Sequence, residues 1–139
     1  MKRFLLLEEN SLFRESLALL LEWSVELEAF QAESVEEARR ALDAPRNKIE
    51  LAIVNVDSLN GNPIRLIEEL RGADPDVPVL GLTADRSLEG RARALRAGAN
   101  DVFYVRAPVE ELVDSVRRLV GALQTTTADK TRSSLRNPA

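Results

Sequence analysis

The side chains able to do chemistry in this chain fall into three short groups. Glu8 and Glu9 are adjacent and follow an apolar run at 3–7. Asn55 closes a second run at 49–54, with Asp57 two residues beyond it. Thr83 closes a third run at 77–82. Carboxylates, a carboxamide and a hydroxyl of this kind could ligate a hard cation or move a proton. A hydrolase built on Glu8 and Glu9 needs both carboxylates on one substrate, yet neighbours at a strand end point different ways. The chain has no cysteine and no histidine. That removes disulfides, thiolate metal sites, Ser-His and Cys-His nucleophiles and any imidazole base. A phosphate cradle after the first run needs glycines for close backbone approach. Here the turn reads Glu8-Glu9-Asn10-Ser11, and two glutamates would repel a phosphate.

The elements that must position these groups are marked by hydrophobic period and by punctuation. The runs at 3–7, 49–54 and 77–82 are apolar enough for strands covered on both faces. Alternation of Val25, Leu27 and Ala29 with Glu26, Glu28 and Phe30 predicts another strand, and 102–105 a fifth. Between them lie helical stripes. Asn10 or Ser11 caps a first helix whose face is Leu12, Phe13, Ser16, Leu17, Leu20 and Leu21, and Trp23 is expected to close its end over the core. Ser34 and Glu37 have capping-box spacing and open a short helix with Val35, Ala38 and Leu42 inward, ended by Pro45. Asn62 and Pro63 open a third, with Ile64, Ile67 and Leu70 on one side. Ser87 caps a fourth that carries Leu88, Ala92 and Leu95 and stops at Gly98. The last stripe, Val109, Leu112, Val113, Val116, Leu119, Val120 and Leu123, is the cleanest. Five strands alternating with five helices predict an α/β fold, a doubly wound (βα)5 parallel sheet with helices on both faces.

The 139 residues suit one domain, at 1–123, and the Thr- and Ser-rich stretch 124–139 reads as a flexible tail or linker stub. A balance of 19 basic against 23 acidic residues lacks the basic footprint of a direct nucleic-acid binder. No apolar run approaches the roughly 20 residues of a bilayer span, so the reading is a cytoplasmic protein that does not enter a membrane.

In a doubly wound sheet, function collects at the carboxyl ends of the strands, which here carry Glu8, Glu9, 55–57, Thr83 and 105–106. Four stretches fit that picture at matching intervals: 5–15, 76–84, 95–101 and 110–112. Together they resemble the receiver domain of bacterial response regulators, the CheY-like, flavodoxin-like family, over roughly residues 3–123. The resemblance implies a signalling domain rather than an enzyme. In that family an acidic pair binds Mg²⁺, an aspartate takes a phosphoryl group from a partner's phosphohistidine, and a Ser or Thr and a Lys contact the phosphoryl oxygens. Glu8 and Glu9 match the acidic pair, although the second position is usually Asp. Thr83 matches the hydroxyl, and Asn55 falls on the phosphoacceptor. The Lys position falls on Val105 in an ungapped reading, or on Arg106 if the loop gained a residue.

These departures agree with one another. The amide oxygen of Asn55 is a poor nucleophile and offers no anion to a cation. Glu9 is one methylene longer than Asp, so its carboxylate overreaches or folds back. Val105 supplies no charge. The resemblance therefore implies a pseudo-receiver with a vestigial pocket at Glu8, Glu9, Asn55, Asp57, Thr83, Val105 and Arg106. No catalytic residue, cofactor or metal is expected. The alternative is a working phosphorelay receiver that uses a non-standard acceptor, Asp57 or Glu9, with Mg²⁺ held weakly by Glu8, Glu9 and Asp57. Partners implied are a histidine kinase or a downstream regulator, with a homodimer as one form of contact. The family's output face maps to Arg91, Phe103, Tyr104 and Val109. Arg86, Arg91, Arg93 and Arg96 read either as a solvated helix face or as part of that docking surface.

Overall fold

Leucine favours helices, but intrinsic propensities differ by under about 0.7 kcal/mol per residue, whereas fully burying a large apolar side chain is worth roughly 1.5–3 kcal/mol. Burial therefore decides the form of the three apolar runs. In the computed structural model, which describes residues 2–121 apart from Pro45 and Asn47, they are strands β1 (Lys2–Leu7), β3 (Lys48–Asn55) and β4 (Val79–Thr83). β2 (Glu28–Ala32) and β5 (Asp101–Tyr104) flank them. All neighbouring strands run parallel in the order β2-β1-β3-β4-β5. The helices are α1 (Ser11–Val25), α2 (Val35–Asp43), α3 (Pro63–Ala73), α4 (Leu88–Ala97) and α5 (109–121).

Alternation along the strands divides the core into two layers. Phe4, Leu6, Leu51, Ile53, Leu80 and Leu82 pack with Leu17 and Leu21 of α1 and with Leu112 and Val116 of α5. Leu5, Leu7, Ala52, Val54 and Val79 face the other way, onto Val35 and Ala38 of α2, Leu66 and Ile67 of α3, and Ala94 of α4. This is the expected doubly wound α/β sheet. Its helix starts are capped as the residue types require: Asn10 accepts from the Phe13 N–H, Ser34 from Glu37, Asn62 from Arg65 and Ser87 from Gly90.

Several local expectations need correction. The strand predicted from Val25 begins later, at Glu28, because α1 continues through Val25 and ends where Glu26 takes a left-handed φ of 57°. Trp23 does not close over the core and is 88% exposed. Leu12 (76%) is exposed as well, and Arg14, Leu17, Ala18 and Leu21 form the buried stripe of α1 instead. In α4 the buried residues are the small Ala94 and Ala97, while Leu88 is 82% exposed. The Ala94 methyl lies over Gly81 of β4, a position with no side chain of its own. Pro45, Leu123 and the tail at 124–139 lie outside the described residues.

Arg71 ties the α3 end of the molecule together. Its guanidinium donates to the carbonyls of Gly98, Asp74, Pro75 and Val77 and to Asn100 Oδ1, at 2.7–3.2 Å. The Asn100 oxygen also accepts from the Val79 N–H at 2.8 Å, at the start of β4. One planar cation with five donors thus satisfies the carbonyls of a chain reversal that no ladder reaches.

Candidate functional site

The strand order reverses between β1 and β3, and there the carboxyl ends of neighbouring strands leave a crevice. Leu7 is in register with Val54, and Asn55 with Leu82. The residues just past β1, β3 and β4 are therefore forced together. Asn55 donates from Nδ2 to Glu8 Oε2 at 2.7 Å, and the Glu9 N–H donates to the same oxygen at 3.0 Å. Glu8 is only 7% exposed. Burial pushes its carboxyl above the usual range, and the hydrogen bonds from Asn55 and the Glu9 N–H oppose that rise. Asn55 Oδ1 in turn accepts from the Asp57 N–H at 2.8 Å. Both ends of the carboxamide are in use.

Glu9 turns away from Glu8. Its Oε1 accepts from the Ser58 hydroxyl at 2.6 Å, from the Leu59 N–H, and from the Asn60 N–H at 3.1 Å. These bonds, Ser58 first, hold its carboxyl below the usual range. The extra methylene of Glu thus lets it reach across the crevice and fasten the loop between β3 and α3. Asp57 reaches a third strand end: Oδ1 accepts from the Thr83 hydroxyl at 3.0 Å and Oδ2 from the Ala84 N–H at 2.7 Å. Thr83 is buried, and its hydroxyl oxygen accepts from the Asp85 N–H at 3.0 Å.

Glu8, Glu9, Asn55, Asp57 and Thr83 are thus brought together. Val105 and Arg106 are not part of the set. The Val105 N–H continues the ladder to Thr83 O at 2.9 Å while its side chain packs towards α1 and α5, and Arg106 is exposed. Each carboxylate is committed to different donors, and no group of three acidic side chains among the described residues could hold a metal ion. As arranged, the oxygens of Glu8, Glu9 and Asp57 turn to separate partners rather than to one point.

Arg14 belongs to this site and was not legible as such. Its Nη1 donates to the Glu8 carbonyl at 2.8 Å and the Glu9 carbonyl at 3.4 Å, and its Nε to Gln31 Oε1 at 3.2 Å. The available signal was a cation in the first turn of α1, where the helix dipole disfavours one. The Ala84 N–H, a backbone donor, carries no signal in residue type.

The output-face residues divide. Arg91 is pinned to β5, donating to the Val102 carbonyl at 2.9 Å and pairing with Asp101 at 3.3 Å. Phe103 packs inward with Phe13, Leu17 and Leu112, while the ring of Tyr104 is covered by the Arg86 guanidinium, 4.4 Å from its centroid. Val109 is half exposed. An open groove of mixed charge, with Arg91, Glu111, Asp114 and Arg118, runs between α4, β5 and α5. Another concavity, of about 560 Å³, lies at the opposite end of the sheet beside Arg39, Ile49 and Leu70, away from this chemistry.

A sequence model of the response regulator receiver domain matches residues 4–117. The chain belongs to that family. As a receiver domain it is 32% identical over 124 residues to the virulence transcriptional regulatory protein PhoP of Salmonella typhimurium, covering 86% of this chain and 52% of the relative. It is 29% identical over 110 residues to the methanol utilization control regulatory protein MoxX of Paracoccus denitrificans, covering 79% and 49%. The chain spans about half the length of these curated relatives. Receiver domains of Methanospirillum hungatei (CheY-like; TM-score 0.80, 18% identity, 91% of this chain and 98% of that one) and Clostridium thermocellum (0.79, 18%, 91% and 99%) share its fold. No helix among the described residues is long and apolar enough to cross a membrane.

Proposed function

We infer that this receiver domain works in signal transduction without phosphorylation of its pocket, by contact with protein partners. The observation that carries this reading is the carboxamide at Asn55. Its nitrogen donates to Glu8 and its oxygen accepts from the Asp57 N–H, so the position offers neither a nucleophilic anion nor a free oxygen. The other carboxylates support the same reading. Glu9 is spent on the 58–60 loop and Asp57 on Thr83 and Ala84, which favours a pocket filled by its own side chains over one that binds Mg²⁺.

The partners proposed are a histidine kinase or a downstream regulator, or a second copy of the chain. The mixed-charge groove beside α4, β5 and α5 suits such a contact. So do the exposed apolar residues Leu12, Leu59 and Leu88, which follow β1, β3 and β4 at the pocket end of the sheet.

The test is incubation with acetyl phosphate and Mg²⁺, followed by intact mass and peptide mapping. Unmodified protein is the expected result. A phosphoryl adduct mapped to Asp57 would establish the substitute-acceptor reading in its place.

A further inference from the structure

Asp57 sits where the pocket meets the start of α4, and a continuous line of hydrogen bonds leaves it. Its carboxylate accepts from the Thr83 hydroxyl and the Ala84 N–H. Thr83 Oγ1 accepts from the Asp85 N–H at 3.0 Å. The Asp85 carboxylate accepts from both the N–H (2.8 Å) and the hydroxyl (2.9 Å) of Ser87, bonds that hold its carboxyl below the usual range. Ser87 Oγ accepts from the Gly90 N–H at 3.2 Å and is the N-cap of α4. Arg86, in the same four-residue link, lies over Tyr104 of β5. The Asp57 side chain holds Thr83 and Ala84 directly, Asp85 through Thr83, and Ser87 through Thr83 and Asp85 in turn.

A buried Thr hydroxyl and an adjacent backbone N–H aimed at one point make a cradle for two oxygens of an anion. Here the chain supplies that anion itself. We propose that Asp57 is a built-in ligand of this cradle, and that its carboxylate permanently holds the β4–α4 link, the start of α4 and the Arg86–Tyr104 contact in one arrangement. The surface beside α4 and β5 is then presented to partners without any incoming group, and it changes only when something draws Asp57 away. The proposal rests on the reading of the pocket as self-filled, and it adds a direction of control from residue 57 to α4.

The consequence can be read in amide hydrogen exchange followed by ¹H–¹⁵N spectra of the full chain. Asp57→Ala removes both acceptors, and Thr83→Val breaks the relay to Asp85 while leaving the Ala84 bond. In either variant, exchange at Asp85, Ser87, Gly90 and Arg91 should rise at least about threefold, towards the tenfold that one lost hydrogen bond produces. The amides of Leu5 and Leu6 in β1 should be unchanged, which controls for global destabilisation. The double variant should exchange more slowly than the product of the two single effects, because both cut the same line. A smaller rise at those four amides, or effects confined to residues 55–60, overturns the proposal. If Asp57→Ala does not fold, Thr83→Val decides alone. Phosphorylation mapped to Asp57 would defeat the phosphorylation-independent reading, whereas an unresponsive α4 would defeat only the coupling.

Discussion

Replacing Asn55 with aspartate turns the donor between β1 and β3 into a second negative charge. In the native pocket Asn55 Nδ2 lies 2.7 Å from Glu8 Oε2. In the variant two carboxylate oxygens would meet there. With charge centres relaxed to about 4 Å and an effective dielectric near 20, the repulsion is about 4 kcal/mol. Glu8 can escape it by taking a proton. From an ordinary carboxyl pKa of 4.5, that costs about 3 kcal/mol at pH 7 at roughly 1.4 kcal/mol per unit, and less here because burial already raises this group. Protonation is therefore the cheaper route and limits the penalty. Asn55→Asp should destabilise the domain by about 3 kcal/mol at pH 7, or roughly 10 °C in Tm at about 4 °C per kcal/mol for a domain of this size.

The sign of the pH dependence follows. A carboxyl with a raised folded pKa loses stability as pH rises through it, so the deficit should shrink steadily from pH 7.5 to 5.5. Magnesium, which prefers paired carboxylates, should raise the variant's Tm more than that of the native protein. Thermal unfolding by circular dichroism at the two pH values, with and without magnesium, measures all of this. A variant within about 2 °C of the native protein at both pH values would refute the pocket geometry on which the reasoning stands.

Other outcomes test other parts of the structure. Arg71→Ala should cost about 3 kcal/mol in urea unfolding, since it strands carbonyls at the β4 start and the end of α4. Arg14→Met, which keeps the stem and removes the donors to Glu8 O and Glu9 O, should cost about 2 kcal/mol by the same assay. Gly61→Ala should destabilise by about 2 kcal/mol or more, because the residue has φ 110° and its new Cβ would stand 2.5 Å from the Val35 Cβ. The Glu9 carboxyl is held below its usual 4.5, so its contribution is present above that pH and is lost as pH falls below it. Glu9→Gln should flatten the acid limb of the native stability profile, measured by urea titration across pH 3–6.

Legibility varied with how local each cause is. Caps at Asn10, Ser34, Asn62 and Ser87 depend on a side chain and an N–H three residues away; the last three were read directly, and the first was narrowed to Asn10 or Ser11. Glu8, Glu9, Asn55, Asp57 and Thr83 could be grouped because parallel strands bring their carboxyl ends to one edge. Which partner each would choose could not be read, since Glu9 to Ser58 and Asp57 to Thr83 depend on loop paths. The inward faces of α1 and α4 were misjudged for a related reason. Large residues suggested the stripes, but α4 turns Ala94 and Ala97 inward and leaves Leu88 outside, while α1 buries Arg14, Leu17, Ala18 and Leu21 and leaves Trp23 outside.

The amino-acid order alone determined the parallel α/β architecture and the strand-end location of the polar set, because period and punctuation are properties of contiguous residues. It also determined that a carboxamide stands at position 55, which is a matter of composition and not of geometry. Tertiary structure decided everything that depends on distance between strands: that Asn55 bonds Glu8, that Arg14 is buried beneath the β1 turn, and that Asp57 is held by Thr83 and Ala84. Hydrogen bonds form over about 3 Å, and groups that are 47 residues apart in the chain reach that separation only once the sheet has closed around them.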